Sequence, residues 1–119
     1  MTAPVFDEIA IIGIGLIGSS LARAAAENGA ASKISLFDQD DAVRATAGKL
    51  GLGTIHDSLE KAVAEADCVV IAVPVGAIEA TTKALAPHLK PAAILSDVGS
   101  VKESAMAAMQ AHCPAHVHL

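Results

Sequence analysis

Aromatic side chains are nearly missing from this 119-residue sequence: they make up 2%, as two phenylalanines, with no tryptophan or tyrosine. The stacking platforms that hold single-stranded nucleic acid are therefore lacking. Basic runs are lacking too. Eight Lys and Arg against thirteen Asp and Glu leave a net charge of −5, so a phosphate backbone would meet net repulsion. Only two cysteines occur, Cys68 and Cys113, and they form no CxxC pair. They read as idle thiols in a reducing compartment. The long hydrophobic run of a membrane helix is also missing, because the uncharged stretch from Ile9 to Ala22 is too short to span a bilayer. The preceding MTAPVFDE carries two acids and no Lys or Arg, the wrong sign for a signal peptide. The expected location is the cytoplasm.

What is abundant is apolar: 53% of residues are hydrophobic and 18% charged, enough for one folded domain with a real core. Strand-like and helix-like segments alternate without a linker or a repeat. Short apolar strands are expected at Ile9–Ile12, Ile34–Phe37, Thr54–His56, Cys68–Val73, Ala93–Ser96 and from His116 onward. Helices are expected at Ile17–Asn28, Asp41–Leu50, Leu59–Ala66, Gly76–Leu89 and Val101–Ala111. Continuous apolar strands separated by helices mean a parallel sheet covered on both faces. The expected fold is a Rossmann-type, doubly wound α/β sheet of six strands. The sequence stops inside its last strand, as a truncated molecule would.

The stretch IIGIGLIGSS places Gly13, Gly15 and Gly18 inside an apolar run, where glycine would weaken either a strand or a helix. A GxGxxG pattern alone is weak evidence. Here a strand precedes it, a helix follows, and an acid stands twenty residues beyond Gly18, at Asp38. In that setting Gly13 permits the tight turn, Gly15 lets a pyrophosphate approach the backbone, and Gly18 lets helix and strand pack. The N–H groups of Leu16 and Ile17 would face the phosphates at the positive end of the helix dipole. Asp38 would accept hydrogen bonds from the adenosine ribose and repel a 2′-phosphate, which favours NAD over NADP. Two other possibilities stand beside this one: Asp38, with Asp40 and Asp41, caps the next helix, or Arg44 serves a 2′-phosphate.

Ligands in this fold sit outside the carboxyl ends of the strands. Val73 and Pro74 close the fourth strand there and offer an apolar wall for the cofactor. The fifth strand exits through DVGSVK, residues 97–102, which brings Ser100 and Lys102 toward the same edge. Ser100 is either a group facing the substrate or the cap of the following helix. His112, Cys113, His116 and His118 match no zinc spacing, and no metal is expected.

These segments together resemble the N-terminal half of the prephenate dehydrogenase family, which includes arogenate and cyclohexadienyl dehydrogenases. IIGIGLIGSSLA (11–22), AVPVGAI (72–78) and SDVGSVKESA (96–105) carry the resemblance, the last most specifically. The resemblance implies oxidative decarboxylation of prephenate or arogenate, with hydride passing to NAD, in tyrosine biosynthesis. It implies that Ser100 orients the substrate hydroxyl, while the proton-accepting histidine of a GHP-type motif would lie beyond Leu119. A C-terminal helical domain would complete the substrate pocket and form a homodimer, so the 119 residues would bind NAD without turning over. Other readings remain open at this point: a β-hydroxyacid dehydrogenase, a pyrroline-carboxylate reductase, or a regulatory NAD-sensing domain.

Overall fold

Strands whose odd and even residues are both apolar can be covered on two sides, and Ile9–Ile12 and Cys68–Ile71 at the centre of the sheet show that pattern. The computed structural model describes residues 6–27, 29 and 31–97. Within them, strands β1 (Phe6–Ile12), β2 (Ala31–Phe37), β3 (Thr54–Ile55), β4 (Cys68–Ile71) and β5 (Ile94–Asp97) form one sheet in the order β3-β2-β1-β4-β5. Every pairing is parallel. Helices α1 (Leu16–Glu27), α2 (Asp41–Leu50), α3 (Leu59–Val63) and α4 (Ile78–Leu85) make the crossovers.

The core divides at the sheet. Ala10 and Ile12 of β1, Val69 and Ile71 of β4 and Leu95 of β5 pack on one face with Val63, Ile78 and Leu85. Ile9 and Ile11 pack on the other, with Ile34, Leu36, Ala22, Ala47 and Cys68. Burial pushes the Cys68 thiol above its ordinary pKa, which makes it an inert packing group.

Helix ends follow the local chemistry. The Asp40 side chain accepts the Ala42 and Val43 N–H groups at 2.8 and 3.4 Å and so caps α2. Gly51, at φ +66°, closes the same helix by returning its N–H to Ala47 and Gly48.

Several expected boundaries move, each for a physical reason. β1 begins at Phe6 rather than Ile9 and carries Glu8 into the sheet. That carboxylate is buried, but Ser35 Oγ donates to its Oε2 at 3.0 Å and Lys33 Nζ stands 3.7 Å from its Oε1. The neighbouring strand supplies the partners that make a buried charge tolerable. β4 ends at Ile71 rather than Val73, and a 3₁₀ turn at Val75–Ala77 precedes α4. The Ala77 N–H donates to the Pro74 carbonyl there, 2.8 Å away. The helix expected to Ala66 ends at Val63, where Ala66 N–H turns back to the Val63 carbonyl. The expected helix at 101–111 and the sixth strand lie outside the described residues, among which five strands are present. No described helix is long and apolar enough to cross a membrane.

At the sheet edge opposite the strand exits, Asp67 ties three strands together. Its Oδ2 accepts the Asp7 and Glu8 N–H groups of β1 at 2.7 and 3.1 Å, its carbonyl accepts the Ile94 N–H of β5, and Lys90 Nζ binds Oδ1. The Lys90 ammonium, then the backbone N–H groups, hold the Asp67 carboxyl below the usual carboxylate range, and Asp67 raises Lys90 in return. A lowered acid contributes stability above its unfolded pKa of about 4 and loses it as pH falls through the folded value. A raised amine contributes below about 10.4 and loses it as pH rises through its folded value. The pair therefore stabilises across the neutral range. Both side chains are partly exposed, so the ion pair is screened and the backbone N–H donors of Asp7 and Glu8 carry a large share of the effect. Asp67→Ala is expected to cost about 1–2 kcal/mol at pH 7. In urea melts, the gap from wild type should shrink below about pH 4.

Candidate functional site

The topology reverses at β1, which lies between β2 and β4, so a crevice opens above its carboxyl end. The first turn out of β1 is clamped from both sides. Gly13 N–H donates to the Phe37 carbonyl at 2.8 Å, and Ala72 N–H donates to the Ile12 carbonyl at 2.7 Å. Gly13 has φ +94°, and a Cβ there would lie 2.9 Å from Ala72 C and Val73 N. Only glycine satisfies both the backbone conformation and the contact with the β4 exit.

The other two glycines differ from each other. A Cβ on Gly18 would collide with the Gly13 carbonyl oxygen, so α1 lies directly on the turn. A Cβ on Gly15 would meet nothing within 4 Å. Protein packing does not explain Gly15; the open space above it does. Gly15 accepts the first helical hydrogen bond, from Ser19 N–H at 2.9 Å. The N–H groups of Leu16 and Ile17 thus open α1 with no partner inside the helix. Ser19 Oγ donates to the Ile14 carbonyl and ties the turn to that helix.

Asp38 is drawn into the same turn. Its Oδ2 accepts the Ile14 N–H at 2.9 Å, while its Oδ1 accepts the Asp40 N–H at 2.9 Å. Capping of α2 belongs to Asp40, which separates two roles that the run of acids left joined. Each Asp38 oxygen keeps acceptor capacity beyond these bonds. Arg44, one turn into α2, donates from Nη1 to the Asp38 carbonyl at 2.6 Å and pairs through Nη2 with Asp41. Its guanidinium lies 5.7 Å from the centre of the Phe37 ring.

A cleft of about 630 Å³ joins these parts, within the range of small-molecule sites. Gly13, Gly15 and Asp38 border it on one side, and Val73 and Pro74 form an apolar wall. The structure thus gathers most of the residues singled out in the sequence; Ser100 and Lys102, with the cluster from His112 to His118, lie outside the described residues. The sequence reading missed the far wall, made by Ala77, Ala80, Thr81 and Ala84. Their i, i+3, i+4, i+7 spacing is a stripe of small residues on one helical face, a pattern visible in the sequence once α4 is known to border the cleft. Leu59 and Phe37, also in the lining, figured in the sequence only as ends of an expected helix and an expected strand.

Residues 21–119 match the family described as "Prephenate dehydrogenase, nucleotide-binding domain". The chain belongs to that family. The cyclohexadienyl dehydrogenase of Zymomonas mobilis is 45% identical over 114 residues, covering 95% of this chain and 39% of that protein. The solved arogenate dehydrogenase of Synechocystis is 27% identical at a TM-score of 0.74, over 85% of this chain and 37% of that one. The prephenate dehydrogenase of A. aeolicus, solved with hydroxyphenyl propionate and NAD⁺, superposes at a TM-score of 0.83 over 98% of this chain and 41% of that one. At 23% identity that last likeness speaks for the fold alone. The chain spans about two fifths of the length of these prephenate dehydrogenase relatives.

Proposed function

We propose that this chain holds NAD⁺ for a prephenate or arogenate dehydrogenase, the oxidative decarboxylation that leads toward tyrosine. The observation that carries the reading is one cleft bordered both by the open Gly15 backbone, which leads into the N-terminus of α1, and by Asp38. A dinucleotide asks for those three features: close approach for the pyrophosphate, donors at a helix N-terminus, and an acceptor for the ribose hydroxyls. NAD⁺ bound there supplies the hydride acceptor.

The chain's own residues do the positioning. Leu16 and Ile17 offer backbone donors to the pyrophosphate, Val73 and Pro74 close an apolar wall, and Asp38 reads the ribose and repels a 2′-phosphate. Ser100, which follows β5 in the sequence, orients the substrate hydroxyl toward the nicotinamide. The proton acceptor is a histidine outside these 119 residues, and the rest of the substrate pocket and a homodimer contact belong to a further domain. The protein acts in the cytoplasm. The family match favours this reading over a hydroxyacid dehydrogenase, a pyrroline-carboxylate reductase or a ligand-sensing domain.

Two measurements on the full-length protein test it. Titration calorimetry should show NAD⁺ binding at least ten-fold tighter than NADP⁺, equivalent to about 1.4 kcal/mol. Adding prephenate or arogenate with NAD⁺ should produce NADH absorbance. Equal affinity for the two cofactors would remove the role given to Asp38, and no NADH from either substrate would remove the reaction.

A further inference from the structure

A threonine inside a helix commonly turns its hydroxyl back to the carbonyl four residues earlier. Thr82 of α4 does so, donating to Ile78 at 2.8 Å, and Thr46 of α2 does so to Ala42 at 3.0 Å. Thr81, the neighbour of Thr82 on the same helix, does not. Among the described residues its hydroxyl has no hydrogen-bond partner. The side chain is half-buried and borders the cleft. Around it the wall is apolar, made by Ala77, Ala80 and Ala84 of α4 and Leu59 of α3. Asp38 and Gln39, the other described residues that line the cleft with polar side chains, follow β2 instead. Thr81 is thus the polar side chain of the α4 wall.

The covalent order of a dinucleotide says what meets this wall. With the pyrophosphate over Gly15 and the ribose on Asp38, the next group along is the adenine. The α4 wall shares its cleft with Phe37 and Leu59, which stand on the β2–β3 side of the fold, away from the β5 exit where the nicotinamide ends. A purine has apolar faces and a polar edge of ring nitrogens and an amino group. Alanines let the flat ring approach closely but satisfy none of that edge, and a polar edge taken out of water without a partner weakens binding. A hydroxyl can donate to a ring nitrogen or accept from the amino group. A polar group placed singly in an apolar wall is what fixes the orientation of a ligand. We propose that Thr81 hydrogen-bonds the edge of the adenine ring and sets the orientation of the base in the cleft. Because the intrahelical bond is not made, the hydroxyl meets the base without first breaking a protein contact. This role for Thr81 rests on the reading of the cleft as the NAD⁺ site.

Calorimetric titration of the full-length protein with NAD⁺ and with ADP-ribose, which carries the adenine but no nicotinamide, tests it. Thr81→Val keeps the shape of the side chain and removes the hydroxyl; Thr81→Ala is a second variant should valine disturb α4. Either is expected to weaken NAD⁺ and ADP-ribose by the same factor, about five- to ten-fold, as one neutral hydrogen bond does. Thr81→Ser, which keeps the hydroxyl, should bind both ligands within about two-fold of wild type. A threonine that only packs would give the opposite order, with valine closer to wild type than serine. Undiminished NAD⁺ affinity in the hydroxyl-free variants, or a loss that Thr81→Ser does not recover, would overturn the role of Thr81. A loss confined to NAD⁺ and missing from ADP-ribose would overturn it too, since the contact would then belong to the nicotinamide half. A wild-type protein that binds neither ligand would instead remove the cofactor reading on which the role rests.

Discussion

Gly18→Ala is expected to cost about 3 kcal/mol of stability, the upper part of the range for forced overpacking. The added methyl would collide with the Gly13 carbonyl oxygen, a backbone atom with nowhere to go. The Gly13 N–H is bonded to Phe37 of β2, and Gly13 has so little room that a Cβ on it would lie 2.9 Å from Ala72 C and Val73 N. Relief therefore requires moving α1 away from the sheet, which would open the core around Ala22 and Ile11. An opposing term exists, because alanine is favoured over glycine in a helix by about 1 kcal/mol. The sign of the measured change thus decides which effect wins. Urea denaturation should show a lower midpoint with an unchanged slope; a midpoint that rises would mean that α1 does not lie on the turn.

Gly15→Ala, three residues earlier, is expected to behave in the opposite way. No atom lies within 4 Å of the new methyl, and Gly15 is not among the glycines at positive φ. Stability without ligand should stay within about 0.5 kcal/mol of wild type. NAD⁺ affinity should fall by about a hundred-fold, equivalent to about 2.7 kcal/mol, because the methyl stands where a pyrophosphate must approach the backbone N–H groups of α1. Calorimetric titration of the full-length variant, alongside its melting curve, provides the check. If affinity is retained, the dinucleotide does not pass over Gly15. The contrast between the two glycines is informative because one motif contains both: Gly18 is required by packing, and Gly15 stands in open space.

The alternation of apolar strands and helices was legible in the sequence because parallel strands buried on both faces have no polar side to disguise them. Gly29 and Gly51, which directly follow the helices expected at Ile17–Asn28 and Asp41–Leu50, both adopt the positive φ of a helix stop. Glu8 was misjudged as lying before the strand. Its charge argues for solvent until the register sets Ser35 and Lys33 of β2 beside it, and register is a property of two strands. The acids at 38, 40 and 41 posed a similar problem: composition alone leaves three carboxylates competing for one helix cap.

By itself, then, the sequence determined the parallel α/β class, the position of the glycine turn and the acid twenty residues beyond it. Each of these is encoded locally, in periodicity and in residues with unusual backbone freedom. Only the tertiary structure decided that Asp40 is the cap while Asp38 accepts the Ile14 N–H. It also decided that the small face of α4 walls the cleft and that Arg44 is held behind it by Asp38 and Asp41. The Ile14–Asp38 bond and the cleft wall depend on crossovers that bring together residues distant in sequence, whereas the Asp40 and Arg44 contacts depend on the local loop and first turn of α2. A hydrogen bond or a shared cavity wall leaves no trace in sequence order until the chain has closed around it.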